Sequence, residues 1–310
     1  MQDIIKKKRF SLACGPRSPA LKAIGLSVML LTAHGAYACI NGYEPTVNEL
    51  IHNGDPQQIA LAVARLENDY KLEPTAHIAN DLAVVQVLSG NAQRAIEVLT
   101  QLEHDAPGLS KTASNLGTAL ELAGRNAEAL VWIKEGIKRD PKDHEGTEWL
   151  HVKILEAKTA LASDANWLST HSVLGLNFGL QDMPQTPSRG TVDYLGTAHT
   201  LADAQRAIAY QLHERLRFVA RPDPVVADLY FAQGNIDTVL NAGRPKDDYD
   251  QAIGFGAVDV ATIQRRISYV ESHPFGISIV VWVALLLALC VAFAAILWPR
   301  KRPSSLQAAQ

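Results

Sequence analysis

His144, Glu145, Glu148 and His151 form the densest set of side chains capable of chemistry in this 310-residue sequence. On a continuous helix His144, Glu148 and His151 fall at i, i+4 and i+7, and such a face offers three metal ligands. The order is not H-E-x-x-H, because Glu148 stands where the second histidine belongs. Without a metal the same residues form a solvated helix face, with Asp143 or His144 capping its start, and this is the reading adopted. Other chemical signatures are missing. Gly243-Arg-Pro-Lys lacks the first glycine and the hydroxyl of a phosphate loop, and Gly254-Phe-Gly256 has no strand before it. No C-x-x-C and no G-x-S-x-G is present. The sequence therefore names no catalytic residue, no metal and no cofactor, and a non-enzymatic role is expected.

The elements that position these residues follow from a repeat. Residues 76–108 and 109–141 carry one pattern at an offset of 34, which places Leu82 on Leu116, Ala83 on Gly117, Gly90 on Gly124, Ala95 on Ala129, Leu99 on Ile133 and Pro107 on Pro141. Ile78, Leu82 and Val85, then Ala95, Leu99 and Leu102, recur at helical spacing, so each half-repeat reads as an amphipathic helix. Gly90 and Gly124 sit where the first helix must stop and reverse. Ala83, Gly117, Ala95 and Ala129 are small where two antiparallel helices cross, and Pro107 and Pro141 end the unit. A unit of this kind cannot bury its apolar face alone, so neighbours must stack.

This pattern resembles the tetratricopeptide repeat (TPR) family, most closely in the second copy through Leu116-Gly117, Gly124, Ala129 and Pro141. The resemblance implies an all-α solenoid of helical hairpins. Residues 39–75 read as a leading helix pair, Thr46–His52 and Pro56–Tyr70. Within 76–162 a third first helix follows the two clear copies, over Glu145–Leu161, with His151 in place of the small consensus residue. Residues 163–198 are rich in Gly, Pro, Ser and Asn and read as an irregular loop. Its apolar side chains, Val173, Leu174, Leu176, Phe178 and Leu180, are expected to cover the open end of the solenoid. Helices resume over 199–272, where Tyr249 and Ala252 take packing positions of a shortened hairpin.

Both ends point to export. Residues 1–38 read as a signal peptide: Lys6-Lys7-Lys8-Arg9 opens a basic region, an apolar core follows, and Ala36-Tyr37-Ala38 is an A-x-A cleavage pattern. Left uncleaved, the segment is a signal anchor. Cys39 departs from the Leu-x-small lipoprotein pattern, so plain cleavage is preferred to a lipid on Cys39. Residues 275–298 form an uncharged run of 24, and ~20 apolar residues cross a bilayer. Arg300, Lys301 and Arg302 put the tail, 299–310, on the cytoplasmic side. Ala284, Ala288 and Ala292 form a small-residue stripe through which two copies could pair. Cys14 and Cys290 fall in the two terminal segments, so no disulfide framework is expected. With both ends set aside, 20 Lys and Arg face 31 Asp and Glu, a net of −11. Such a domain does not suit nucleic acid. The signal and the lack of N-glycosylation sequons point to a bacterial inner membrane, with the repeats in the periplasm.

The resemblance also implies a binding groove along the first helices of successive repeats. Its positions here are His77, Asn80, Val84, Val87 and Leu88, then Lys111, Ser114, Thr118, Glu121 and Leu122, with Glu145, Glu148 and Val152 from the third copy. The Lys-and-Asn set with which the family clamps a peptide C-terminus is not expected from these residues. The function implied is a membrane-anchored scaffold that binds segments of exported or membrane proteins. The rival is an enzyme, or an accessory subunit of one, with a pocket between the 163–198 loop and the helices after it.

Overall fold

The computed structural model describes residues 40–273, 286–290 and 293. The signal segment, the tail and most of 275–298, including Ala284 and Ala292, lie outside the described residues. Residues 286–290, with Ala288 among them, are helical and exposed. Among the described residues no helix is long and apolar enough to cross a membrane.

Residues 40–273 are almost wholly helical. In chain order the helices are α1 (Pro45–Asn53), α2 (Pro56–Leu72), α3 (Ala76–Leu88), α4 (Ala92–Asp105), α5 (Ser110–Leu122), α6 (Asn126–Arg139) and α7 (Glu148–Ser163). After a long connection come α8 (Leu201–Arg215), α9 (Pro224–Leu240), α10 (Pro245–Gly254) and α11 (Val260–Ser272). From α2 to α7 each helix packs on the next, and α8 to α11 continue the same way. Side-chain caps start several of them: Asp55 and Gln58 close a capping box at α2, Thr75 caps α3 and Asn91 caps α4.

The two repeat copies share the main-chain hydrogen bonds of their turns. Asn91 N donates to Gln86 O and Arg125 N to Leu120 O, both at 2.8 Å, and both pairs are related by the 34-residue offset. Gly90 and Gly124 reverse the chain at φ +82 and +77. Leu82, Ala83, Ala95, Leu99, Leu116, Ala129 and Ile133 are all buried in one apolar core. Gly117 is required by the crossing of α5 and α6, because a Cβ there would lie 2.5 Å from Ile133 Cδ1 and 3.1 Å from its main-chain N. Pro107 and Pro141 lie exposed just past α4 and α6.

The 163–198 stretch is only partly irregular. Val173, Leu174 and Phe178 are buried against α7, α8 and α9, Leu176 is partly buried, and Leu180 points outward at 75% exposure. Its end forms a β-hairpin, β1 (Thr191–Tyr194) with β2 (Thr197–Thr200), in antiparallel register Tyr194↔Thr197. Leu195 and Gly196 both take positive φ, +49 and +79, as a tight two-residue hairpin turn needs. Farther on, Tyr249 and Ala252 are fully buried, and Gly234 makes room for the Tyr249 ring.

Gly117→Ala is expected to destabilise the fold by about 1–3 kcal/mol through overpacking against Ile133. Gly124→Ala meets open space and costs only the left-handed backbone penalty, about 1–2 kcal/mol. Urea unfolding midpoints measure both. A Gly117→Ala midpoint equal to that of the unaltered protein contradicts the close crossing.

Candidate functional site

The inner face of α3, α5 and α7 is polar, and the chain itself covers it. Asn80, Asp81, Ser114, Asn115, Thr118, Glu121, Glu148 and His151 all sit there and are all buried. Of the groove positions read from the sequence, Val84 and Val87 are also buried, Leu88, Lys111 and Leu122 partly so, and His77 is exposed. In the third copy Val152 and Glu148 are buried and Glu145 is exposed.

Residues 40–44 cover the first part of this face as an irregular, non-helical segment. Asn41 N donates to Asn115 Oδ1 at 2.8 Å, and its carbonyl accepts from Asn80 Nδ2 at 2.7 Å and Asn115 Nδ2 at 3.0 Å. The Gly42 carbonyl accepts from Lys111 Nζ at 2.8 Å. Tyr43 N and Glu44 N donate to the two carboxylate oxygens of Asp81, at 2.5 and 2.9 Å. Burial pushes the Asp81 carboxyl above its ordinary pKa, and these N–H bonds pull it back. The Tyr43 ring stacks on His77 with centroids 4.0 Å apart and lies under Lys111 Nζ at 4.3 Å. Asn80, Asn115 and Lys111 converge around the main-chain carbonyls of Asn41 and Gly42. Asn115 and Asp81 were not legible as site residues, because the polar and apolar sides of α3 and α5 are buried alike, and Asp143 lies in the turn before α7.

The His144–His151 cluster is a buried ion network, which corrects the expectation of a solvated helix face. The chain does not run helically through it: Asp143–Gly146 is a tight turn, His144 and Glu145 take φ +50 and +57, and α7 begins only at Glu148. Glu148 lies between two imidazoles, with Oε1 2.6 Å from His144 Nδ1 and Oε2 3.2 Å from His151 Nδ1. His151 Nε2 reaches Glu121 Oε2 at 2.7 Å. Glu121 also accepts from Lys158 Nζ at 2.7 Å and from Arg215 of α8 at 2.5 and 3.2 Å. Thr118, Glu121 and Leu122 therefore lie beneath α8 and the turn after it, around a cavity of only about 20 Å³. Among the described residues no group of three or more His, Cys, Asp and Glu is arranged to hold a metal ion.

Burial disfavours charge throughout this network, yet the partners overcome it. The Glu121 carboxyl is held well below the ordinary range by Arg215, Lys158 and His151, and Glu148 is lowered by its two histidines. His151 is raised by Glu148 and Glu121. His144 is pulled two ways. Glu148, Asp143 and Glu214 push it up to about 9 against burial. The Asn41 amide nitrogen, 2.8 Å from Nε2, instead needs a lone pair there to accept its N–H.

A separate cleft of about 510 Å³ lies between residues 168–180, α9 and α11. Arg266 pins the loop to α11 by donating to the carbonyls of Gly179 at 2.5 Å and Gln181 at 3.3 Å. Burial pushes the Asp228 carboxyl in this cleft up to about 6, against one hydrogen bond from Val173 N at 2.8 Å. A wider cleft between α1 and α2, about 630 Å³, is lined by exposed Glu49, Gln58 and Leu61 and offers no comparable buried group.

Glu121→Ala leaves Arg215, Lys158 and His151 without their buried carboxylate and is expected to cost about 3–5 kcal/mol, read in urea unfolding. The network also sets a pH optimum. Glu121 and Glu148 have lowered folded pKa values, so their contribution is present above the unfolded 4.5 and lost as pH falls below it. His151 is raised, so its contribution is full below the unfolded 6.5 and fades as pH rises through its folded value. The melting temperature should peak between these limits in the unaltered protein and flatten in Glu121→Ala. A profile that Glu121→Ala leaves unchanged contradicts the assignment. Searches against protein-family models, curated proteins and solved structures find no match for this chain.

Proposed function

We propose that this chain is a TPR-like, non-enzymatic interaction module that takes up extended polypeptide along the face of α3, α5 and α7. In this reading it is exported, anchored by residues 275–298 and displayed in the periplasm as a scaffold for exported or membrane proteins. One observation carries the proposal: Asn80, Asp81, Lys111 and Asn115 all bond main-chain groups of residues 41–44. Main-chain recognition suits an extended segment and leaves side chains to add selectivity. The net charge of the exported region favours partners with basic or apolar anchors.

A photo-crosslinking side chain at exposed His77, in the full chain in its native membrane, tests this reading. Crosslinks to another protein at position 77 that fall sharply in Asn80→Ala/Asn115→Ala, and are lacking from exposed Leu61, support the module. Equal crosslinking at 61 and 77, unaffected by the two substitutions, contradicts it.

The cleft at Asp228 supports a second reading, a small-molecule site between the loop and α9. A carboxyl with a pKa near 6 can exchange a proton at neutral pH. A small molecule that raises the melting temperature of the unaltered protein but not of Asp228→Asn favours this reading. Equal shifts in both disfavour it.

A further inference from the structure

We infer that residues 40–44 are an internal ligand of the α3–α5 face, and that the external segment it accepts carries asparagine, then glycine, then an aromatic residue. The inference rests on the reading of that face as a peptide-binding surface, and it specifies the ligand and what competes with it.

Each position of the segment meets a distinct requirement. Ile40 is fully buried in the apolar core. The Asn41 carboxamide donates to Asp143 Oδ1 at 3.0 Å and faces His144 Nε2 at 2.8 Å. Both are acceptors once the His144 proton sits on Nδ1, beside Glu148 Oε1 at 2.6 Å. An amide nitrogen has two hydrogens for these two acceptors, whereas an aspartate would set a carboxylate against Asp143. Gly42 is buried, and a Cβ there would lie 2.8 Å from Val47 Cγ1 and 3.0 Å from Asn48 Oδ1 of α1, and 3.2 Å from Asp81 Oδ1, the atom that holds the next N–H. Tyr43 fills the slot between the His77 ring and Lys111. The four residues Asn80, Asp81, Lys111 and Asn115 hold the main chain irrespective of side chain.

Release of the segment costs the first turn of α1, where the Glu44 carbonyl accepts from Val47 N and Asn48 N at 3.1 Å and Asn48 Oδ1 accepts from Gly42 N at 2.9 Å, and leaves the rest of that helix bonded. α1 begins at Pro45, and residues 40–44 belong to no helix or strand. An incoming segment of the same pattern can replace the contacts to α3 and α5. Tethering gives the internal copy an effective concentration of order mM, so it outcompetes a weak ligand and yields to a tight or abundant one.

The test uses the full chain and a fluorescent pentapeptide with the sequence of residues 40–44, beside the same peptide with aspartate for asparagine. Asn41→Asp unseats the internal copy. The asparagine peptide should then bind this variant about 100-fold more tightly than the unaltered chain. The aspartate peptide should bind it at least ~10-fold more weakly than the asparagine peptide. His144→Gln keeps a side-chain acceptor for the amide and should preserve the preference for the asparagine peptide.

Circular dichroism reports whether Asn41→Asp folds. If it folds and binds neither peptide, or binds both equally, the inference is overturned and residues 40–44 are a fixed part of the fold. If it does not fold, the unaltered chain at mM peptide decides: saturable binding of the asparagine peptide alone upholds the inference, and no difference between the peptides overturns it. Partner crosslinks at position 77 alongside failed peptide binding would leave the interaction module standing and remove only the internal ligand.

Discussion

Polar groups taken out of water between helices must find partners, and that constraint arranges this molecule. The inner face of α3, α5 and α7 presents buried carboxamides, hydroxyls, carboxylates and the His151 imidazole. What covers the face is therefore chosen by chemistry. Asn80, Asp81, Lys111 and Asn115 take a strip of main chain, which supplies alternating N–H and C=O groups. Glu121 takes Arg215 from α8, since a buried carboxylate is costly without a cation. Both coverings belong to one hydrogen-bonded neighbourhood, joined through Asp143, His144, Glu148 and His151.

Stability and specificity divide between two layers. The outer contacts of the hairpins are apolar and small: Gly117 against Ile133, Ala83 and Ala95 between α3 and α4, and Gly234 under Tyr249. They let helices approach closely and bury the leucines and isoleucines that hold the hairpins together. The inner polar contacts need not add net stability, because removing charges from water offsets much of their attraction. They fix which segment lies where, and this is the property a selective binding face requires.

The helices of the repeated region were legible because their constraint is local. Small residues at crossings, glycine at the reversal and proline at the end are each dictated within 34 residues, and the turns at Gly90 and Gly124 have matching hydrogen bonds. The inner face was not legible in the same way. Asn41 and Asn115 are 74 residues apart, and Glu121 and Arg215 are 94 apart. No periodicity marks a partner at that separation. His144, Glu148 and His151 were visible as a cluster, but assuming a continuous helix placed them on a solvated face. The turn at Asp143–Gly146, with two non-glycine residues at positive φ, turns His144 inward instead. The β-hairpin was hidden in a stretch whose Gly, Ser and Thr content reads as loop, and its turn depends on Leu195 adopting a conformation unusual for leucine.

The central claim is that the side chains of the α3–α5 face hold the main chain of residues 41–44. Amide hydrogen exchange at Asn41, Tyr43 and Glu44 in the intact, unaltered protein tests it most directly. These amides donate to Asn115 and Asp81, so they should exchange slowly, and the protection should fall selectively in Asn115→Ala and Asp81→Asn while α4 keeps its own. Exchange at these three amides as fast as in an unstructured peptide, with the helices still protected, would contradict the account.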